Sequence, residues 1–231
     1  MQLLHIADLH FGRLLYGRSL MDDQRHFVRQ SLLPALDEYK PDALLIAGDL
    51  YDRQIASVDA IHLFDELIDA LCERSIPAVI ISGNHDSPDR IAVGKSLLAR
   101  HGIHIITELK DAFTPVEIGN IQIFPLPYFE NAQMRDFLGD ETLRGAGACM
   151  RAAVEKMKKR LTPRKSTCWS RTALRRGPPP PIPKAAFSLA ARAMCRQMSS
   201  PSLTMRRSGT CTRRKGQATR RATRAHRSNI P

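Results

Sequence analysis

The sequence predicts an α/β fold built around a parallel sheet. Three short runs in the first part of the chain consist almost wholly of apolar residues: Leu3–Ile6, Ala43–Ala47 and Ala78–Ile81. Runs of this length and composition are typical of strands that are buried on both faces of a parallel sheet. Segments with helical spacing separate the runs, and strands that alternate with helices form βαβ units.

The segments between these runs predict three helices. The acidic pair Asp22-Asp23 marks the start of the first helix. Its apolar face contains Phe27, Val28, Leu32 and Leu36. The apolar face of the second has members three or four residues apart, namely Val58, Ile61, Phe64, Ile68 and Leu71. We expect a third helix over Arg90–Arg100, followed by a strand over Ile103–Ile106.

Later segments predict a second sheet. Gly119-Asn120 separates Val116–Ile118 from Ile121–Phe124, which indicates a hairpin that begins this sheet. Val154–Leu161 belongs to a charged helix. Five histidines lie outside any motif, and we interpret them as structural or solvated: His5, His26, His62, His101 and His104.

Each of the three apolar runs is followed at once by an acidic or histidine-containing motif. The motifs are DLHFG (Asp8–Gly12), GDLYD (Gly48–Asp52) and GNHDS (Gly83–Ser87). The carboxyl ends of parallel strands meet in one crevice, where such sheets bind their ligands. Each motif alone could be an ordinary turn. Three of them at the ends of successive β-units instead predict a metal site containing Asp8, His10, Asp49, Asn84 and His85.

The ligand types narrow the choice of metal. Carboxylates, an amide oxygen and imidazoles without a thiolate suit Mn²⁺, Fe²⁺ or Zn²⁺ better than a structural zinc. Asp49 is central in the order of the motifs and could bridge two ions. Two ions about 4 Å apart can clamp the attacking and leaving oxygens of a phosphoryl displacement. Glycines beside the motifs, Gly12, Gly48 and Gly83, allow sharp turns near a crowded site.

Asp-x-His, Gly-Asp-x-x-Asp and Gly-Asn-His-Asp, in this order, resemble the motifs of the calcineurin-like metallophosphoesterases. The flanks LLHIADLHFGR, PDALLIAGDLYDR and ISGNHDSPDRI are most similar to one branch, the nuclease subunits of bacterial SbcCD complexes. The resemblance covers about residues 1–160. It implies a metallophosphoesterase-type sandwich of two mixed sheets flanked by helices over residues 1–161, incomplete at its C-terminal side.

The resemblance also implies a role for each motif residue. Asp8 and His10 would hold one manganese ion, Asp49 would bridge both, and Asn84 would bind the second. His85 would stabilise the transition state or assist the leaving oxygen instead of binding metal.

Two further carboxylates, Asp52 and Asp86, complete the set of candidate catalytic residues. Either could orient the imidazole of His85, since a carboxylate partner commonly does so. Both could equally be carboxylates that cap the motif loops.

The branch as a whole implies a DNA exonuclease and endonuclease of repair, recombination and replication, dependent on two divalent ions, most simply Mn²⁺. Its partners would be DNA and an SbcC-type ATPase coiled-coil subunit, with a homodimer of the nuclease subunit inside a heterotetramer. One alternative is a small-molecule phosphomonoesterase or cyclic-nucleotide phosphodiesterase of the same fold. Another is a non-catalytic DNA-binding protein that uses its basic tail.

Composition indicates a cytoplasmic protein. The 231 residues contain no run of eighteen apolar residues, so we expect no membrane span. Asp8 and His10 interrupt the N-terminal apolar run, which argues against a signal peptide. An odd number of cysteines without zinc-ligand spacing fits a reducing compartment: Cys72, Cys149, Cys168, Cys195 and Cys211.

The net charge of +12 is unevenly divided. From Arg164 onward there are 17 of the 35 Lys and Arg residues and no Asp or Glu, which leaves 18 basic against 23 acidic residues before it. Residues 162–231 are therefore expected to form a basic, Pro- and Arg-rich, disordered tail. A genuine tail of this kind would bind phosphate backbones without sequence preference.

We interpret the tail instead as the product of a frameshift near Thr162–Lys165. The family resemblance implies three further histidines, in a Val-Ala-His-type segment and in Gly-His-x-His, but His226 is the only histidine after His104. Segments of the tail can be encoded so that one shifted frame reads VLVAHC, DVSADVF and GHLHAPQ; these segments are Thr167–Ala173, Met194–Ser200 and Ser208–Arg214. Without the three imidazoles, this chain would be impaired as an enzyme.

Overall fold

The computed structural model describes residues 2–162 and 165–171. The strands are β1 (Leu3–Ile6), β2 (Leu14–Leu15), β3 (Arg18–Ser19), β4 (Ala43–Ala47), β5 (Ala78–Ile81), β6 (Ile103–Ile106), β7 (Val116–Ile118), β8 (Ile121–Leu126) and β9 (Ser166–Arg171). The helices are α1 (Met21–Phe27), α2 (Leu33–Tyr39), α3 (Val58–Glu73), α4 (Pro88–Ile91), α5 (Lys95–Ala99), α6 (Leu109–Ala112), α7 (Asn131–Leu138) and α8 (Gly145–Lys158). A π-helical segment, Val28–Leu32, joins α1 to α2.

The first sheet has four strands in the order β1-β4-β5-β6, and every pairing in it is parallel. Strands β4 and β5 are buried along their whole length, which explains why their sequences are continuous apolar runs. The three predicted strands and the strand at Ile103–Ile106 are therefore confirmed, with the predicted bounds.

Helices cover one face of this sheet with the largest core of the described residues. The long segment from α1 through α2 contributes Val28, Leu32 and Leu36, as predicted. The predicted apolar face of α3 is wrong at its first two positions, because Val58 is 67% and Ile61 48% exposed. Its buried residues are Ala60, Leu63, Leu67, Ile68, Ala70 and Leu71.

The start of α3 explains the rotated face. Ser57 caps the helix by accepting a hydrogen bond from the backbone N–H of Ala60, at 3.3 Å. A Cβ placed on Gly12 would lie 3.2 Å from the Ser57 Oγ and 3.3 Å from the Ala60 Cβ. The helix therefore approaches the first motif with small side chains, and this close contact turns Val58 and Ile61 towards solvent.

The expected helix over Arg90–Arg100 is divided into two short helices. Gly94 separates α4 from α5 with φ +75°, a left-handed conformation that costs glycine little. One continuous helix cannot pass through a left-handed residue, so the prediction of a single helix was wrong. The charged helix expected to include Val154–Leu161 is α8, which begins earlier, at Gly145, and ends at Lys158, before Leu161.

The second sheet has the order β7-β8-β9. Strands β7 and β8 form the predicted antiparallel hairpin across Gly119-Asn120, and β9 adds parallel to β8. Side chains from both sheets share a core, which confirms the sandwich: Leu45, Ala47, Val79, Ile81, Ile106, Ile121, Ile123 and Cys168. Within the described residues the first sheet is wholly parallel, and only the second is mixed.

Strand β9 corrects the expectation that residues 162–231 form a disordered tail, for the part of them that the structure describes. Cys168 is 9% exposed between the sheets and Ser170 is buried, because alternate side chains of a strand face the same side. Trp169 points the other way, is 42% exposed and stacks on Phe124 with ring centroids 5.0 Å apart. The packed part of the chain thus passes the expected boundary at 161. Residues 172–231 lie outside the described residues, and so does the prediction made for them.

The two sheets end at a common edge. The backbone N–H of Tyr128, just after β8, donates to the carbonyl of Ser82, just after β5, at 2.8 Å. The carboxyl ends of both strands therefore lie beside the third motif. No helix among the described residues is long and apolar enough to span a membrane.

Candidate metal centre

The first two motifs continue the pairing of β1 and β4 beyond the sheet. The backbone N–H of Asp8 donates to Gly48 O at 3.2 Å, and that of His10 donates to Asp49 O at 2.9 Å. The N–H of Phe11 then donates to Leu50 O at 2.8 Å. These bonds hold the two loops in fixed register, so that their side chains face the same edge of the sheet.

Three of the predicted ligands adopt a left-handed backbone conformation. The φ angles are +57° at Asp8, +45° at His10 and +49° at Asp49. A non-glycine residue with positive φ is uncommon, and each such residue costs on the order of 1 kcal/mol or more. Strain of this kind persists only where the surrounding contacts impose it, and it is concentrated at functional sites.

The third motif contacts Asp49 closely. A Cβ on Gly83 would lie 2.1 Å from Asp49 Oδ1 and 2.2 Å from its backbone nitrogen, so no other residue fits at this position. The backbone N–H of His85 donates to the same Oδ1 at 3.0 Å. Asp49 is only 5% exposed, and its carboxylate is fixed by the loop that carries Asn84 and His85.

Asp86 joins the second and third motifs through hydrogen bonds. Its carboxylate accepts backbone N–H groups from Leu50 at 3.1 Å, Tyr51 at 2.9 Å and Gly83 at 2.8 Å. Burial raises the pKa of Asp86, while the hydrogen bonds from these amides oppose that rise. The structure therefore shows Asp86 as a carboxylate that caps the motif loops.

Asp8, His10 and Asp49 form one group of potential metal ligands. One ligand atom from each lies within 4.8 Å of the others, and His10 Nε2 is 3.9 Å from Asp49 Oδ2. Desolvation and then the negative charge of Asp49 raise the pKa of Asp8. Two carboxylates held this close repel each other unless a proton or a cation lies between them.

His10, Asp52 and His85 form a second group with ligand atoms within 4.8 Å. The imidazoles of His10 and His85 meet edge to face, with centroids 4.9 Å apart. His85 Nδ1 donates to the backbone carbonyl of Asp52 at 3.0 Å. Orientation of His85 by a carboxylate of Asp52 or Asp86 was one of two alternatives; in the structure a carbonyl contacts the ring. The Asp86 carboxylate accepts backbone amides, and the Asp52 carboxylate lies nearest His10.

Asn84 lies between Gly83 and His85 on the exposed side of the same loop. Its side chain makes no hydrogen bond with any residue that the structure describes. The side-chain amide of Asn84 is therefore exposed and not engaged by another described residue.

The residues present fit a divalent metal ion. His10 Nε2 lies 3.9 Å from Asp49 Oδ2, too far for a hydrogen bond but close enough for both atoms to bind one ion. On the other side of the ring, His10 Nδ1 is buried without a hydrogen-bond partner in the described part of the chain, 3.6 Å from Asp52 Oδ1. A buried polar atom without a partner is costly unless something else binds it. Imidazole nitrogen and carboxylate oxygen are donors that suit Mn²⁺, Fe²⁺ or Zn²⁺.

Sequence reasoning missed one polar residue at this centre. Gln24 of α1 donates from Nε2 to the carbonyls of Leu9 and His10 and accepts the N–H of Gly12. Nothing in the sequence distinguishes Gln24 from an ordinary polar residue on an amphipathic helix.

Comparison with known proteins gives the same family as the motifs. The family model described as calcineurin-like phosphoesterase matches residues 1–155, and the chain belongs to this family. Its fold implies binding of divalent metal ions, in agreement with the Asp8, His10 and Asp49 group.

Two curated relatives are named as the SbcD component of the nuclease SbcCD. The protein of Staphylococcus saprophyticus is 38% identical over 144 residues, which cover 62% of this chain and 38% of that protein. The protein of Staphylococcus epidermidis is 32% identical over 158 residues, which cover 68% of this chain and 42% of that protein. The chain thus matches less than half the length of either relative.

Proposed function

We propose that this chain is a nuclease subunit of the SbcCD type, which hydrolyses phosphodiester bonds of DNA with divalent metal ions. The observation that carries the proposal is the convergence of Asp8, His10 and Asp49 within 4.8 Å, beside the imidazole of His85. The similarity to two SbcD components of SbcCD supports the nuclease branch of the family over its phosphatases.

Asp8, His10 and Asp49 would hold one ion, and Asp49 with Asn84 would hold a second. We propose Mn²⁺ for both, because the donors are hard oxygens and imidazole without thiolate. Ions bound there would neutralise charge on the phosphate and supply a nucleophilic water at neutral pH. The protein contributes rigid positioning, since the carboxylate of Asp49 is already fixed by the N–H of His85.

His85 is the residue that we propose to act on the leaving oxygen. Its imidazole is exposed at the open edge of the site, so a bound phosphodiester can reach it. The hydrogen bond from Nδ1–H to the carbonyl of Asp52 fixes the orientation of the ring. The second nitrogen, Nε2, is then the one that can donate or accept a proton. Asp52 therefore contributes to orientation through its backbone, while its carboxylate lies 3.6 Å from His10 Nδ1.

A short hairpin that follows the first motif supports a polynucleotide over a small phosphate ester as substrate. Strands β2 and β3 follow the first motif directly and pair through a two-residue turn at Tyr16-Gly17. Tyr16 is fully exposed at the tip, and neither Arg13 nor Arg18 forms an ion pair within the described residues. An aromatic ring flanked by unpaired arginines suits the bases and phosphates of a nucleic acid strand.

The remaining elements of the proposal concern assembly. We propose that the chain assembles with an SbcC-type ATPase coiled-coil subunit, as a homodimer of nuclease subunits within a heterotetramer. The names of the relatives support a two-component complex. We also propose a reducing, cytoplasmic setting, on the odd number of cysteines without zinc-ligand spacing in the sequence.

The basic tail bears on whether this chain is active. We propose that it arises from a frameshift, which removes three histidines that would complete the coordination of both metal ions, while Asp8, His10 and Asp49 remain for the first ion. A second candidate function is favoured by the tail's own composition, 17 Lys and Arg residues without one Asp or Glu. A chain of that composition could bind DNA without cleaving it.

Activity on linear duplex DNA, compared with activity on a nitrophenyl phosphate ester, tests the proposal. We expect the frame-restored protein, in which the shifted reading replaces the tail, to cleave DNA with Mn²⁺ and to prefer it to the ester. Preference for the ester would favour a phosphomonoesterase. Salt-sensitive DNA binding without cleavage, unchanged by Asp49→Asn, would favour the non-catalytic DNA binder.

A further inference from the structure

Gln24 reaches from α1 into the first motif with every hydrogen-bonding group of its carboxamide. Nε2 donates to Leu9 O at 3.1 Å and to His10 O at 2.7 Å, and Oε1 accepts the N–H of Gly12 at 3.0 Å. A carboxamide provides both kinds of group that this loop needs: two N–H donors for the two carbonyls and one oxygen acceptor for the backbone amide. A glutamate or a lysine could make only part of this set.

The segment that Gln24 holds is strained. Asp8 and His10 have positive φ, and Gly12 follows with φ +88°. Their backbone bonds to the second motif fix one side of the segment through the N–H groups of Asp8 and His10. The carbonyls of Leu9 and His10 point to the other side, where Gln24 binds both. The carboxamide thus hydrogen-bonds the backbone carbonyls on the side of the loop that makes no bonds to the second motif.

The helix that carries Gln24 is itself anchored. The next residue, Arg25, pairs with Asp59 of α3 at 3.0 Å, and Arg29 pairs with Glu66 of α3 at 2.7 Å. The backbone N–H of Gln24 donates to Leu20 O at 2.9 Å. The carboxamide is therefore a fixed support for the loop.

We propose that Gln24 is a positioning residue for the metal centre. It touches neither ion nor substrate; it holds the backbone on which Asp8 and His10 present their side chains to the first ion. The inference rests on the proposed function, because it requires that these two side chains bind metal. Residues that orient metal ligands typically contribute about 10- to 100-fold in affinity.

Gln24→Met tests this role, because methionine keeps the length of the side chain and the helix but removes all three hydrogen bonds. Gln30→Met is the matched control, since Gln30 is exposed in the adjoining π-helical segment. Mn²⁺ affinity would be measured by titration with electron paramagnetic resonance, and exchange of the Gly12 amide by NMR. We expect Gln24→Met to weaken Mn²⁺ binding at least about 10-fold and to expose the Gly12 amide. Gln30→Met should change neither.

Gln24→Asn serves as a second variant in case the first fails to fold. Its carboxamide is one methylene short, so we expect a smaller loss of affinity in a stable protein. One result would overturn the inference and leave the proposed function intact: a variant whose Gly12 amide is exposed but whose Mn²⁺ affinity equals that of the unsubstituted chain. If neither the unsubstituted chain nor its frame-restored form binds Mn²⁺, the proposed function fails, and the inference fails with it.

Discussion

At the scale of single residues, Asp49 is where the three motifs meet. Its carbonyl accepts the N–H of His10, its carboxylate accepts the N–H of His85, and Gly83 approaches its backbone without a Cβ. The convergence of Asp8, His10 and Asp49 could be predicted from the sequence, because parallel strands bring their carboxyl ends together. The hydrogen bonds of Asp86 and Gln24 could not, because they depend on which backbone groups the loops leave unpaired.

His85→Ala, made in the frame-restored protein, tests the proposed catalytic role of His85. Because the imidazole would act on the transition state, we expect turnover to fall on the order of 10²-fold or more. Manganese content should hardly change, and His101→Ala, outside the motifs, should leave both quantities unchanged. Turnover and bound manganese falling in proportion would show that His85 is a metal ligand.

Asp86→Ala tests whether the Asp86 carboxylate stabilises the motif loops by accepting their backbone N–H groups. The substitution leaves three buried backbone N–H groups without an acceptor, so we expect the free energy of unfolding to fall by about 3 kcal/mol, measured by urea denaturation. Asp89→Ala, at an exposed position in α4, is the control and should change stability little. A loss of turnover from Asp86→Ala without loss of stability would indicate a catalytic carboxylate.

At the scale of elements, the strands followed the prediction more closely than the helices. A fully buried strand is a continuous apolar run, so its bounds can be read from the sequence. The face of α3 depends on contacts across the fold, with Ala60 against Gly12, and the break at Gly94 depends on one φ angle. Strand β9 was not predicted, because its sequence STCWSR has little apolar content and pairs only through β8.

The ion pair between Arg29 and Glu66 gives an element-scale test that depends on pH. The hydrogen bond from Arg29 lowers the pKa of Glu66. A carboxylate whose pKa is lower in the folded state stabilises the fold fully above its unfolded pKa, about 4.3. That stability is lost as the pH falls through the folded pKa.

A double-mutant cycle of Arg29→Gln and Glu66→Gln, followed from pH 7 to about 3, measures this coupling. We expect a small favourable coupling at pH 7 that disappears at the acidic end and weakens with salt, since the pair is at the surface. A coupling that grows as the pH falls would contradict the assignment.

At the scale of the whole molecule, the sequence divides into an acidic part before Arg164 and a basic part from Arg164 onward. Residues before Arg164 contain 18 basic and 23 acidic residues, and the tail carries all of the net positive charge. The two-sheet sandwich could be predicted from family resemblance and hairpin chemistry. The extent of packing after Lys165 could not, because composition alone does not show whether a short polar strand will join a sheet edge.

Restoring the reading frame tests the account of the tail. The frame-restored protein should gain three histidines and manganese-dependent DNA cleavage together, while the present chain should cleave far more slowly. Both proteins would be assayed on the same linear duplex with Mn²⁺. If the present chain cleaves DNA at about 1 s⁻¹ or faster, in the range of ordinary enzymes, the frameshift account of its function is wrong.

The binding of Mn²⁺ by this chain, with and without Asp49, tests the central claim most directly. Asp49 contacts all three motif loops, so Asp49→Asn removes the shared charge while keeping the shape of the side chain. We expect saturable binding of Mn²⁺ to the unsubstituted chain, weakened about 100-fold or more by Asp49→Asn and unchanged by the exposed control Asp89→Asn. Equal affinity in all three proteins would contradict a metal centre built on Asp8, His10 and Asp49.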